Sequence, residues 1–265
     1  MLTRPFVQTA KLFYGLALPL LLANPAQGQS FCASDGQAQP VALHERFTSA
    51  DCADCWAATP SVAHHRNALA LDWIVPSPKG EDAPLSSAAT RDALDRLEAL
   101  LAQPPAPTHA TSHTTPISTL TSSPIAGRSH PGLRVAHGLP FNNYVGTSIR
   151  YQPPGRMRSG ELFVWQVLIE TIPAGTEGTP VERNLVRNTL VRQWSYQSSL
   201  SKSKQPVWVD SRPMSIPEGA HPERLRVVGW VEDSAGRLLA LAQSRCTAKK
   251  PPPPYPGTGG RRIEN

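Results

Sequence analysis

The stretch Val41-Ala-Leu-His-Glu-Arg-Phe-Thr-Ser-Ala-Asp-Cys-Ala-Asp-Cys55 decides the reading of this chain. Val41, Leu43 and Phe47 mark a short apolar strand, although the alternation slips at Glu45. Ser49 and Asp51 are capping residues, so the spacing predicts a helix that opens at Cys52-Ala-Asp-Cys55. A thiol at the start of a helix meets unpaired backbone amides and the positive end of the peptide dipoles. Both favour thiolate over thiol, the form that disulfide exchange needs. Strand, tight turn and Cys-x-x-Cys opening a helix is a thioredoxin-type arrangement.

Working outward, Trp56 to His65 can continue that helix, with an interruption at Pro60. Ala68 to Val75 reads as the next strand, ending before Pro76. An amphipathic helix follows from about Ser87 to Ala102, with Ala93, Leu94, Leu97, Leu100 and Leu101 as its apolar stripe. Arg91 with Asp95, and Asp92 with Arg96, sit four apart and are expected on its solvated side. Residues 104–132 are rich in Pro, Ser and Thr and are read as a linker. Beyond it the pattern turns to β. Leu162 to Ile172 is the strongest strand, Val181 to Trp194 is taken as another, and Leu225 to Val231 with Leu238 to Gln243 forms a hairpin. The expected architecture is an α/β thioredoxin-like domain over 29–103, incomplete in its second half, followed by an all-β sandwich-like domain over 133–248. A Pro-rich extension, 249–265, is expected to be disordered.

Arg4 and Lys11 precede an apolar run from Leu12 to Ala23, and Ala26-Gln27-Gly28 provides small residues for cleavage. Residues 1–28 are therefore read as a secretory signal, with no integral membrane segment left after its removal. The formal net charge of the chain is +6, but it lies at the two ends. The first 28 residues carry +2 and the last 17 carry +3, which leaves +1 for the body. That balance argues against nucleic-acid binding by the folded part.

Four cysteines remain after export, and an even count in an oxidising compartment implies pairing. Three pairings are open. Cys52 with Cys55 is the local one, and it leaves Cys32 with Cys246 to join the ends of the fold. A loop of that size restricts the unfolded chain by about 5 kcal/mol in chain entropy. A metal site of Cys52, Cys55, His64 and His65 is disfavoured, because adjacent helical side chains point about 100° apart. No metal and no cofactor is expected.

Phe47-Thr48-Ser49, the cysteine pair and the strand around Leu71 resemble an exported thioredoxin-like family of unknown function. Gly80-Glu-Asp-Ala-Pro-Leu-Ser-Ser87 with its helix, Asn184-Leu-Val-Arg187 followed by Trp194, and the final hairpin are similar to later parts of that family. Trp56 stands where the family commonly has proline, and only Asp72-Trp73 remains of its longer His-Val-Asp-Tyr-Trp run. Thr115-Pro116 and Leu139-Pro140 are the two candidates for its cis-proline. The resemblance implies thiol–disulfide exchange, with Cys52 attacking and Cys55 resolving, on an exported protein or a small thiol in the periplasm or outside the cell. Asp51, Asp54 and Glu45 place negative charge near the pair and oppose the thiolate. The alternative is a fixed structural disulfide in a non-catalytic binding or assembly module.

Overall fold

The computed structural model describes residues 32–59, 67–102, 118–124, 132–154, 160–199 and 205–246. The expected signal, His64, His65, Thr115-Pro116 and the C-terminal extension lie outside the described residues. The protein is mostly β, with two sheets and few helices. In chain order the strands are β1 (Cys32–Ala33), β2 (Ala42–Ser49), β3 (Ala68–Val75), β4 (Ser118–Pro124), β5 (Gly132–His137), β6 (Tyr144–Gln152), β7 (Glu161–Ile172), β8 (Arg183–Ser195), β9 (Trp208–Ser215), β10 (Leu225–Asp233), β11 (Leu238–Gln243) and β12 (Arg245–Cys246). The helices are α1 (Ala53–Ala57) and α2 (Arg91–Leu101).

One sheet has the order β12-β1-β5-β6-β9 and the other β11-β10-β7-β8-β3-β2-β4. In the larger sheet β2 and β3 run parallel over all eight residues, and β4 lies antiparallel to β2. Strands β7, β8, β10 and β11 are antiparallel neighbours. The two groups meet where β3 lies parallel to β8, with the single register pair Asp72 and Leu185. At this thin seam side chains complete what the ladder leaves. Asn184 donates from its amide to the Ala70 carbonyl at 2.9 Å, and its backbone N–H donates to Asp72 at 3.3 Å.

This seam corrects the two-part expectation. The strands assigned to a separate β-sandwich over 133–248 extend the sheet that β2 and β3 begin, so one sheet spans both halves of the chain. The stretch 104–132 is also more than a linker, since it contains β4. The pattern Ser-Thr-Leu-Thr-Ser-Ser-Pro carries little apolar signal. An edge strand, however, can be recruited by backbone pairing alone.

Strand β7 is buried on both faces. Leu162, Val164 and Leu168 join Val135, Ile149, Tyr151 and Trp208 in the core between the sheets. Val167 and Ile169 face a second core with Leu43, Phe47, Leu71, Trp73, Trp230 and the helix residues Ala93 and Leu97. Gly229 permits the close approach of the sheets. A Cβ there would lie 2.5 Å from Val135 Cγ1 and 2.8 Å from Ile149 Cδ1.

Helix α2 is shorter at its start than its periodicity suggests. Thr90 caps it by accepting the Ala93 N–H at 3.2 Å, and Ser86–Ala88 forms a separate 3-10 turn. Leu101 is exposed, and Arg96 is not on the solvated side. Its guanidinium is buried between Glu45 and Glu232, reached at 2.7 Å each, and lies over the rings of Trp165 and Trp230 at 4.6 and 5.5 Å. The Asp92 carboxylate meets Thr189 instead. Among the described residues no helix is long and apolar enough to cross a membrane.

Candidate functional site

The unit β2–α1–β3 puts the cysteine pair at the C-terminal end of β2. Cys52 is bonded to Cys55, and Cys32 is bonded to Cys246 across 214 residues. No cysteine is free. The turn into α1 is fixed by the Cys52 N–H, which donates to the Ser49 carbonyl at 2.9 Å, and by the Ala50 N–H, which donates to Val75 at 2.9 Å. The cap is Cys52 itself, whose Sγ accepts the backbone N–H of Cys55 at 3.2 Å.

Helix α1 ends at Ala57 and does not run on to His65. Ala58 is extended, as befits a chain approaching Pro60, which can neither donate to the helix nor follow a helical residue easily. A helix of five residues has too few internal bonds to hold itself. Arg183 supplies the remainder. Its Nη2 donates to the carbonyls of Trp56 and Ala58 at 2.8 Å each, and more distantly to Cys55 at 3.5 Å. Nη1 reaches Asp72 at 3.0 Å and Nε reaches the Thr179 hydroxyl at 3.0 Å. The same guanidinium lies 4.9 Å from the centre of the Trp56 ring, and the Trp56 indole donates to the Glu177 carbonyl at 2.8 Å. A cation thus occupies the negative end of the short helix and satisfies its orphan carbonyls.

Asp72 is fully buried and shared by two arginines, Arg183 and Arg46, the latter at 2.6 Å. The signal for Asp72 was present as a lone acid in an apolar strand. Its partner Arg183, 111 positions later, carries no mark in the sequence.

The acids expected to oppose the cysteines divide. Asp54 is exposed in the first turn of α1, whereas Lys79 lies 3.3 Å from Asp51 and offsets its charge. Glu45 is engaged by Arg96 in the sheet interior and does not act on the pair as an uncompensated charge. His44 is buried within β2. The order of burial among the cysteines is also unexpected: Cys52 is only 7% exposed, while Cys55 is half-buried. Of the two residues Cys55 is the more exposed. A cavity of about 170 Å³ is lined by Trp56, the residue after Cys55, together with Ile74, Leu85, Leu185 and Arg187. Pro140 lies in the exposed loop between β5 and β6 of the other sheet.

Donors of a metal-binding type converge elsewhere, at Cys32, His137 and Cys246 and at Glu170, Glu177 and His221. In the first group both sulfurs are committed to the disulfide. In the second, Glu170 is paired with Arg187 at 2.7 Å.

No family model matches the chain, and no curated protein matches it. Among solved structures it is similar to HBP35 of Porphyromonas gingivalis, with 9% identity and a TM-score of 0.45 over 87% of this chain and 81% of that one. A calcium-binding mutant of Bacteroides uniformis beta-glucuronidase 2 aligns with 16% identity and a TM-score of 0.26, over 41% of this chain and 12% of that one.

Proposed function

We propose that this is an exported protein that exchanges disulfides through Cys52 and Cys55, carried on a thioredoxin-like β–α–β unit. The observation that carries the reading is the asymmetric pair: a half-buried Cys55 bonded to a buried Cys52 whose sulfur already accepts a backbone N–H. An incoming thiolate reaches Cys55 Sγ. The Cys52–Cys55 bond breaks, and its electron pair goes to Cys52 Sγ, where the Cys55 amide stabilises the thiolate. A second thiolate of the substrate then attacks the substrate sulfur of the mixed disulfide and releases Cys55. The substrate dithiol is oxidised and the protein pair reduced; the reverse sequence reduces a substrate disulfide. This order differs from the attack by Cys52 that the resemblance implies, and it follows from Cys55 being the more exposed of the two residues.

The substrate is an exported protein or a small thiol. Two disulfides and no free thiol suit an oxidising compartment, the periplasm or the cell exterior. The reaction needs no cofactor, since both electrons move between sulfur atoms.

Single alanine variants at the two cysteines, incubated with a dithiol peptide in its disulfide form and quenched with acid, test this. Cys52→Ala should accumulate a mixed disulfide on Cys55 several-fold above Cys55→Ala. A larger yield from Cys55→Ala would keep exchange but restore attack by Cys52. If neither variant exceeds the double-alanine background, exchange is wrong and the pair is a structural disulfide in a binding or assembly module.

A further inference from the structure

A second cavity, of about 380 Å³, opens where the N-terminal half of β3 meets the ends of β8, β10 and β11. Arg46, Arg226 and Arg245 line it, together with Glu182 and the amide side chains of Asn184 and Gln243. The charges do not balance. Asp72 is shared between Arg46 and Arg183, so four guanidinium groups at or just behind this wall, Arg46, Arg183, Arg226 and Arg245, face two carboxylates, Asp72 and Glu182. The net charge is +2. Neither Arg226 nor Arg245 forms an ion pair among the described residues. Burial and the neighbouring Arg245 lower the pKa of Arg226, with Glu182 acting the other way. Like charges held together and partly desolvated are costly unless an anion completes them.

Two further atoms point the same way. The Arg46 Nε–H is buried with no hydrogen-bond partner among the described residues, although its Nη2 bonds Asp72. Gln39, which also lines the cavity, buries an unpartnered amide oxygen. Buried groups of this kind are normally satisfied. One needs an acceptor and the other a donor.

We propose that this cavity binds a small hydroxylated oxyanion of the carboxylate or phosphate type. The arginine forks take the charged oxygens, a geometry guanidinium favours. Gln39 accepts from the hydroxyl, and Asn184 and Gln243 orient the remainder. The cavity exceeds the size of a bare inorganic ion, which is why the ligand is assigned an organic body. This proposal does not depend on the chemistry of the cysteine pair.

Calorimetric titration and thermal denaturation with citrate and with glycerol 3-phosphate, against sodium chloride at equal ionic strength, provide the test. Saturable binding of one or both probes is expected, and the stronger arm identifies carboxylate or phosphate as the group recognised. Arg226→Gln combined with Arg245→Gln should weaken binding at least tenfold, whereas exposed Arg91→Gln should leave it unchanged. Glu182→Gln removes the opposing charge and should tighten binding several-fold, which gives a readout even if the arginine variant is unstable. Absence of saturable binding by either probe, or an affinity indifferent to these charge changes, would overturn the proposal.

Discussion

Two buried ion clusters join the halves of this molecule, and they use arginine differently. Around Arg96, two carboxylates enclose one guanidinium, net −1. Glu232 in turn accepts the indole N–H groups of Trp165 and Trp230 at 3.1 Å each. The two indoles stack with ring centroids 5.3 Å apart, and the Arg96 guanidinium lies over both. Around Asp72 two guanidinium groups share one carboxylate, net +1, and the spare donors of Arg183 go to the backbone of α1. The first cluster is closed and ties α2 to β2 and β10. The second is open, with the cysteine helix on one side and the arginine-lined cavity on the other. A buried charge with its own complete shell can only hold the fold, whereas one with donors left over can position something else.

That contrast can be broken most sharply at Arg96. Although burial opposes its charge, Glu45 and Glu232 together raise its pKa, so the group stays ionised at any ordinary pH. Arg96→Ala leaves two buried carboxylates without a counter-ion and should cost about 4 kcal/mol in urea denaturation. The rate of exchange per folded molecule should not change.

His137 supplies a third case, a buried base with no counter-ion among the described residues. Its Nδ1 lies 2.9 Å from the Ser244 hydroxyl, and burial lowers its pKa to about 4 from 6.5. Because the folded value is depressed, the unfolded chain takes up the proton first. The stability is whole above pH 6.5 and is lost as pH falls towards 4, by roughly 3 kcal/mol in total. A His137→Gln variant should lack this part of the pH slope in chemical denaturation between pH 4 and 6.5. An unchanged slope would show that other groups carry it.

The smallest expected effect discriminates best. Arg183→Lys keeps a charge near Asp72 but cannot span the Trp56 and Ala58 carbonyls and Thr179 together. It should cost about 2 kcal/mol and shift the reduction potential of the cysteine pair, read by equilibration with a thiol buffer. Arg96→Lys should destabilise without shifting that potential. Equal shifts in both variants would erase the distinction between the clusters.

Much of the local structure was legible. The strands β2, β3 and β7 and the β10–β11 hairpin follow from periodicity, the Cys52–Cys55 pair from its local spacing, and Cys32–Cys246 from the even count that leaves those two over. The misreadings share a cause. Asp92, four residues earlier, offers Arg96 a local partner on the solvated side, while its real partners Glu45 and Glu232 lie 51 and 136 positions away. Helix α1 is shorter than its sequence suggests because its boundary is set at the extended Ala58 and by an arginine on β8. Strand β4 carries no sequence signal because a Ser/Thr-rich edge strand has no face that must be buried, and hence no period to detect.

The sequence by itself therefore determined the position of Cys-x-x-Cys at the end of a strand, the type of most elements and the even pairing of the cysteines. The first two depend on neighbours within a few residues, and the third on the count of cysteines alone. Only the tertiary structure decided that one sheet unites both halves, that Asp72 and Arg183 support the cysteine helix, and that Cys55 rather than Cys52 is the more exposed residue of the pair. Those outcomes depend on which buried charge meets which, and desolvation makes that choice only once distant strands have come together.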